Sequence, residues 1–327
     1  MLVLSGEEIR SVFTMRDAIE ADKEAFVLHS QGKTQVSLRT GVEAPGGTCL
    51  FMPAFAGGID RPGIKIVSVF PGNAARGKPV VPALVVLLDG ATGEAEALLD
   101  GTTLTQMRTA AIAGAATELL ALPDASVGAL FGTGGQAEAQ LEALLTVRPL
   151  VEVRVYDIDP GRVKAFLERV APLAERHGAR LVAAASPEAA VEGAQVVTAV
   201  TTSPRPVFPG SRVEPGTHVN GVGSYTPQMQ ELDEVLLARA DRVFVDNREA
   251  VLAEAGDLIV PMRQGCFGEE RLAGELGQLI LGQVPGRGGR EEITVMKTVG
   301  FAALDVVAGH RILEKARAAG VGRSVSL

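Results

Sequence analysis

Three cations stand in segments where cations are costly. Arg39 lies in "VSLRTGV", Lys65 in "GIKIVSVFPGN" and Arg108 in "TLTQMRTAAIAG", each flanked by apolar or small residues. A long cation in such surroundings either turns to solvent or meets an anion. If the three converged, they would make a clamp for one carboxylate, the arginines gripping it through their planar forks. Spacing alone leaves a second reading open, in which they are unrelated cations on outer faces.

A second stretch, "VGALFGTGGQAEAQLEALL", reads as an apolar strand, a glycine turn and a helix. Gly132, Gly134 and Ala137 form G-x-G-x-x-A, a weak pattern alone but here in the strand-to-helix setting that a dinucleotide fingerprint needs. Gly132 would permit the turn, Gly134 the approach of a pyrophosphate, and Ala137 close packing of helix on strand. The helix N-terminus would offer unpaired N–H groups to the phosphates. The next strand, "VEVRVYD", ends at Asp157, about 20 residues after the loop, where an acid accepts from ribose hydroxyls and repels a 2′-phosphate. Asp157 therefore favours NAD(H). NADP(H) stays open through Arg162, which could reach a phosphate but which also suits a solvated helix face.

These residues need elements to hold them. The chain has 327 residues, 46% of them apolar, enough for two compact units. A helix capped at Thr14 runs to about Gly32 and is followed by short, partly alternating strands, with hairpin chemistry at "DGATGE". This predicts a mostly antiparallel sheet, followed by the Ala-rich helix "TTLTQMRTAAIAGAATELLA". From Ala125 strands alternate with helices, which predicts a parallel α/β sheet. After about Glu292 the chain reads as one last helix that returns to the first domain. The expected fold is α/β: a Rossmann NAD(P)-binding domain (123–297) inserted in an α+β domain (1–122 plus 298–327), the part that the resemblance named below makes the substrate-binding and dimerisation domain.

Composition excludes several classes. A net charge of −8 with mixed signs gives no footprint for nucleic acid. No apolar run is long enough for a membrane span, and the N-terminus lacks a signal peptide's basic end, so a cytoplasmic protein is expected. Cys49 and Cys266 are too few for a disulfide framework, and the four histidines lack metal-ligand spacing, so no metal is expected. Of the histidines, only His218, at the start of a strand, is a candidate acid–base group.

Taken together, "SLRTGV", "GIKIVSVFPGN", "LTQMRTAAIAGAAT", "FGTGGQAEAQLEAL", "NGVGSYTPQMQEL", "VFVDNREAVLAEAGDL" and "KTVGFAALD" resemble the ornithine cyclodeaminase and mu-crystallin family, in the same order and over nearly the whole chain. The resemblance implies a homodimer built on the first domain. It implies substrate-carboxylate binding by Arg39, Lys65 and Arg108, and cofactor contacts from Thr133, Gly134, Gly135, Gln136, Asp157, Thr201, Ser224 and Thr298. It also implies chemistry at a C=N bond beside a carboxylate.

One departure narrows that chemistry. Cyclodeaminase and alanine-dehydrogenase members carry an Asp two positions before the Pro that follows "VGS"; here Tyr225 precedes Thr226-Pro227. A phenol is no ready base at neutral pH, though it can donate a hydrogen bond or narrow a substrate pocket. The lysine that follows in cyclodeaminases is also absent, Gln228 and Met229 standing there. Reduction of an imino acid remains, cyclic (Δ1-pyrroline- or Δ1-piperideine-2-carboxylate) or acyclic. In this reading Lys65 and Arg108 are the catalytic pair, and the arginines lower the Lys65 pKa by like-charge repulsion. Lys65 either supplies the proton or serves only as a carboxylate ligand. Arg76 is a candidate cation for a second carboxylate, a solvated loop being the alternative. The rival readings are an alanine-type dehydrogenase, a cyclodeaminase and a non-catalytic NAD(P)H-binding protein.

Overall fold

A computed structural model describes residues 1–326. They form β1 (Leu2–Leu4), α1 (Gly6–Val12), α2 (Met15–Ser30), β2 (Thr34–Val36), β3 (Thr40–Ala44), β4 (Gly47–Ala56), β5 (Arg61–Val69), β6 (Ala83–Leu88), β7 (Ala95–Asp100) and α3 (Gly101–Leu120). Next come β8 (Val127–Phe131), α4 (Ala137–Val147), β9 (Glu152–Tyr156), α5 (Pro160–Arg176), β10 (Arg180–Ala183), α6 (Pro187–Val191), β11 (Val196–Ala199) and β12 (His218–Gly221). The chain then makes α7 (Glu234–Arg239), β13 (Arg242–Val245), α8 (Arg248–Glu254), α9 (Gly256–Arg263), β14 (Leu272–Glu275), α10 (Leu276–Ile280), β15 (Thr294–Lys297), α11 (Ala302–Ala319) and β16 (Arg323–Ser324). Two compact units result. One comprises Met1–Arg108 and the chain from Phe301 on; the other is Thr109–Gly300.

The first unit is a sheet in the order β16-β1-β7-β6-β5-β4-β2, with β3 also paired to β4. Every pairing is antiparallel except that of β1 with β7. α2 starts where the sequence predicts, at a Thr14 capping box closed by Asp17. α1 is an addition to the predicted elements, capped by Ser5 and Glu8, with Ile9 as its buried residue. On β5, Gly63, Lys65 and Val67 are buried while their neighbours are partly exposed, so the period of two turns Lys65 to the covered face. The cover is α11, which packs on β4, β5 and β6. A Cβ on Gly63 would stand 3.0 Å from the Val306 side chain, so glycine admits the helix here.

The second unit is an all-parallel sheet in the order β10-β9-β8-β11-β12-β15-β13-β14. Its central strands β8, β11, β12 and β15 are buried on both faces. Leu130 and Val196 join a core with Leu141 of α4 and Phe166 of α5, while Ala129, Phe131 and Val197 join another with Leu236 and Val243. One expectation fails here. The segment after Glu292 is not a single helix: Thr294–Lys297 form β15, fully buried between β12 and β13, and α11 begins only at Ala302. The β-branched run Ile293-Thr294-Val295 suits a central strand, and Gly300, at φ 73°, breaks the chain before the helix. Among the described residues no helix is long and apolar enough to cross a membrane.

Candidate active site

Lys65 and Arg108 meet on a carboxylate that sequence reasoning did not single out. Asp305, in the first turn of α11, is wholly buried. Its Oδ2 lies 2.7 Å from Lys65 Nζ, and its Oδ1 accepts a hydrogen bond from Arg108 Nε at 2.9 Å. The helix N-terminus favours this negative charge. Burial raises the Asp305 carboxyl, but Arg108 and Lys65 outweigh it and hold the pKa below the usual value. Both cations are themselves buried. Arg108 meets Asp305 through Nε, and a guanidinium has two further amino groups with which to grip another acceptor.

Lys65 is the most perturbed cation of the site. Burial, then the Arg108 charge, lowers its amine to about 7, Asp305 opposing and Arg39 adding a smaller push. Arg39 thus acts on Lys65 as well, from the residues that link β2 to β3 rather than from the strand that its sequence suggests. Asp22, on α2, is fully buried with no hydrogen-bond partner for either oxygen. Burial first drives its carboxyl well above the ordinary range; Arg108 pulls the other way and Asp305 adds to the rise. The rise favours the neutral form of Asp22, and Asp305 is the acid that meets both Lys65 and Arg108. Arg76 is exposed at the end of the turn Pro71–Arg76.

The glycine loop of the second unit fits a dinucleotide. Gly132 has φ 96°, and a Cβ there would stand 2.8 Å from Val200 O, so the turn requires glycine. A Cβ on Gly134 or Gly135 would meet no protein atom within 4 Å. The protein's own packing therefore does not demand glycine at these two positions, whereas a closely approaching pyrophosphate would. Ala137, fully buried, opens α4, and the neighbouring Gln136 has a buried Oε1 with no hydrogen-bond partner. Asp157 follows β9 and takes on a task not predicted from sequence: its Oδ2 accepts from the Thr133 N–H at 2.9 Å and the Thr133 hydroxyl at 2.8 Å, tying the acid to the loop. Arg162 pairs with Asp159 at 3.6 Å on the surface.

The other predicted cofactor residues lie past the carboxyl ends of their strands. Thr201 follows β11, Ser224 follows β12 and Thr298 follows β15. Ser224 donates to Met229 O at 2.8 Å, and Thr298 to Asp246 Oδ2 at 2.5 Å. Asp246 also accepts the N–H groups of Val299 and Gly300. Tyr225 is half-buried in the loop after β12. His218 is corrected: it sits at the amino end of β12, away from the ligand end of a parallel sheet. Its ring nitrogens are taken by Thr294 and Asn220, and burial pushes it down to about 3 despite the Asn220 hydrogen bond. It is a neutral core histidine.

The ornithine cyclodeaminase/mu-crystallin family model matches residues 1–320. The chain belongs to this family. Among its relatives is a Delta(1)-pyrroline-2-carboxylate reductase of Bacillus cereus, 37% identical over 327 residues and 99% of each chain. Among solved structures it is similar to Thermococcus litoralis Delta(1)-pyrroline-2-carboxylate reductase in complex with NADH and L-proline. That match has a TM-score of 0.94 and 36% identity, and covers 99% of this chain and 100% of the other. An archaeal alanine dehydrogenase dimer with bound NAD gives 0.92 and 34%, covering 100% and 99%. In this family member the acidic partners Asp305 and Asp246 were missed because each stands in an apolar run, "FAALDVVAG" and "RVFVDN". A lone acid in such a run is itself the signal that a cation or a cluster of N–H donors lies opposite.

Proposed function

We propose that the protein is an NADH-dependent reductase of imino acids, working in the cytoplasm on Δ1-pyrroline-2-carboxylate, Δ1-piperideine-2-carboxylate or their acyclic counterparts to give L-amino acids. The observation that carries this reading is the buried Lys65 amine, held at about 7 beside Arg108 on the shared Asp305. An amine of that pKa is poised to give a proton near neutral pH.

Arg39 and Arg108 hold the substrate carboxylate and so fix the imine relative to Lys65. Bound NADH supplies the hydride to the imine carbon. Lys65 donates its proton to the imine nitrogen, so that C=N becomes CH–NH and the lysine is left neutral. Asp305 keeps the Lys65 amine and the Arg108 guanidinium in register, and it stabilises the protonated lysine before transfer. Tyr225 serves as a hydrogen-bond donor to the substrate and does not activate water. Binding of the substrate carboxylate belongs to the first unit and dinucleotide binding to the second. Asp157 favours NADH over NADPH.

The reading includes a homodimer built on the first unit. Its sheet has α11 on one face, and on the other it turns out Phe51, Ile66 and Leu84, aligned by strand register, and Val42, opposite Cys49 on the same face, with Val42 52% and Leu84 47% exposed. An open apolar sheet face of this kind suits a second copy.

NADH oxidation followed with Δ1-pyrroline-2-carboxylate, and separately with pyruvate plus ammonium, tests the function. Turnover with the cyclic imine is expected. Turnover only with pyruvate and ammonium would make the protein an alanine-type dehydrogenase instead.

A further inference from the structure

One acid in the second unit has no part in the reading above, yet it sits among the loops that follow β11 and β12. Glu231 is wholly buried. Its Oε1 accepts the Thr201 N–H at 2.5 Å, and its Oε2 accepts those of Gly223 at 2.6 Å and Ser224 at 2.9 Å. β11 and β12 are adjacent and parallel, so one carboxylate joins two loops at the ligand end of the sheet. The joint is tight. A Cβ on Gly223 would stand 2.1 Å from Thr201 O and 2.6 Å from Glu231 Oε1, and one on Gly132 would stand 2.9 Å from the Thr201 side chain. The glycine loop, the Thr201 loop and the Ser224 loop are therefore stacked without slack.

Glu231 is fixed from behind. Its own N–H and that of Leu232 donate to Asp257 Oδ1 at 2.5 and 2.9 Å, and Asp257 Oδ2 lies 2.8 Å from Lys297 Nζ, both side chains being fully buried. Lys297 ends β15, the next strand beside β12. The network thus ties together the ends of three neighbouring strands. Three N–H donors converging on one side chain require a group that only accepts; an amide would turn its NH2 toward one of them.

We propose that Glu231 is a positioning residue for the nicotinamide half of the cofactor: it locks Thr201 and Ser224 into one wall, while the glycine loop and Asp157, tied to each other through Thr133, hold the adenosine half. This rests on the reading that the second unit binds NAD(H). The test compares ligands that share the adenosine half but differ in the nicotinamide.

In Glu231→Gln, the Kd of NADH is measured by fluorescence and that of ADP-ribose by calorimetry, with a thermal melt as a check on folding. NADH should weaken about tenfold, as expected for a buried hydrogen bond lost, while ADP-ribose binding stays within about twofold of wild type. Unchanged NADH binding, or equal weakening of both ligands, overturns the proposal. Wild-type protein that binds neither ligand removes the cofactor reading and the proposal with it. Should Glu231→Gln not fold, hydrogen exchange on the wild-type protein decides. NADH should protect the Thr201 and Gly223–Ser224 amides more than ADP-ribose does; equal protection overturns the proposal.

Discussion

Asp305 decides what Lys65 can do. Without it, Lys65 would be a buried amine facing two guanidinium groups, and its pKa would fall further. With it, the amine titrates at about 7. The sign of the pH dependence follows. With Lys65 as the proposed proton donor, the acid form is the active one, so kcat/KM should be high below about pH 7 and fall as pH rises through it. A bound substrate carboxylate favours the charged amine, so the same limb in kcat lies at higher pH than in kcat/KM. Asp305→Asn removes the one influence that holds the proton on Lys65, so its kcat/KM limb moves to lower pH. It also leaves buried cations unpaired, at a cost of about 3–5 kcal/mol in stability. Flat pH profiles, or a limb unmoved in Asp305→Asn, would make Lys65 a carboxylate ligand only. At this scale the sequence showed the cations, because a charge in an apolar segment stands out. It did not show their partner. Lys65, Arg108 and Asp305 come from β5, α3 and α11, and nothing local in any of the three segments announces the other two.

At the scale of elements, what was legible was what is periodic or capped. The capping box at Thr14, the hairpin at Asp89, where Oδ1 accepts the Ala91 and Thr92 N–H groups, and the alternation of strand and helix from β8 onward all form where the pattern puts them. What was not legible lacked contrast. β15 and α11 are both apolar and only four residues apart, so their patterns merge into one apparent helix. α1 has seven residues and one buried side chain, too little for a period to show. The face of the β3–β6 sheet opposite α11 belongs to this scale too. It is apolar yet open, and the dimer reading assigns a second copy to it. Leu84→Glu places a charge in that face, and light scattering should then report the 34.0 kDa chain mass in place of twice that mass. A wild-type protein already at the single-chain mass would contradict the assignment.

For the whole molecule, the division of labour follows from where each unit keeps its charge. The first unit buries Lys65 and Arg108 on one acid, Asp305, an arrangement suited to a small carboxylate. The second unit spends the half-buried Asp157 and the buried Asp246 and Glu231 on main-chain N–H groups: Asp157 on Thr133, Asp246 on Val299 and Gly300, and Glu231 on Thr201, Gly223 and Ser224. Those acids shape a surface for a dinucleotide and do no proton chemistry in this account. The resemblance visible in the sequence extended across both units, and the family assignment over residues 1–320 agrees with it. The choice among the family's reactions rests on Tyr225 and Lys65. The most direct measurement gives the protein Δ1-pyrroline-2-carboxylate and NADH carrying deuterium at both C4 positions, and reads the product by mass spectrometry. The account predicts L-proline with a single deuterium at C2, formed mole for mole with oxidised cofactor. Unlabelled or absent proline, with ammonia released from ornithine and no net change in NADH, would contradict it.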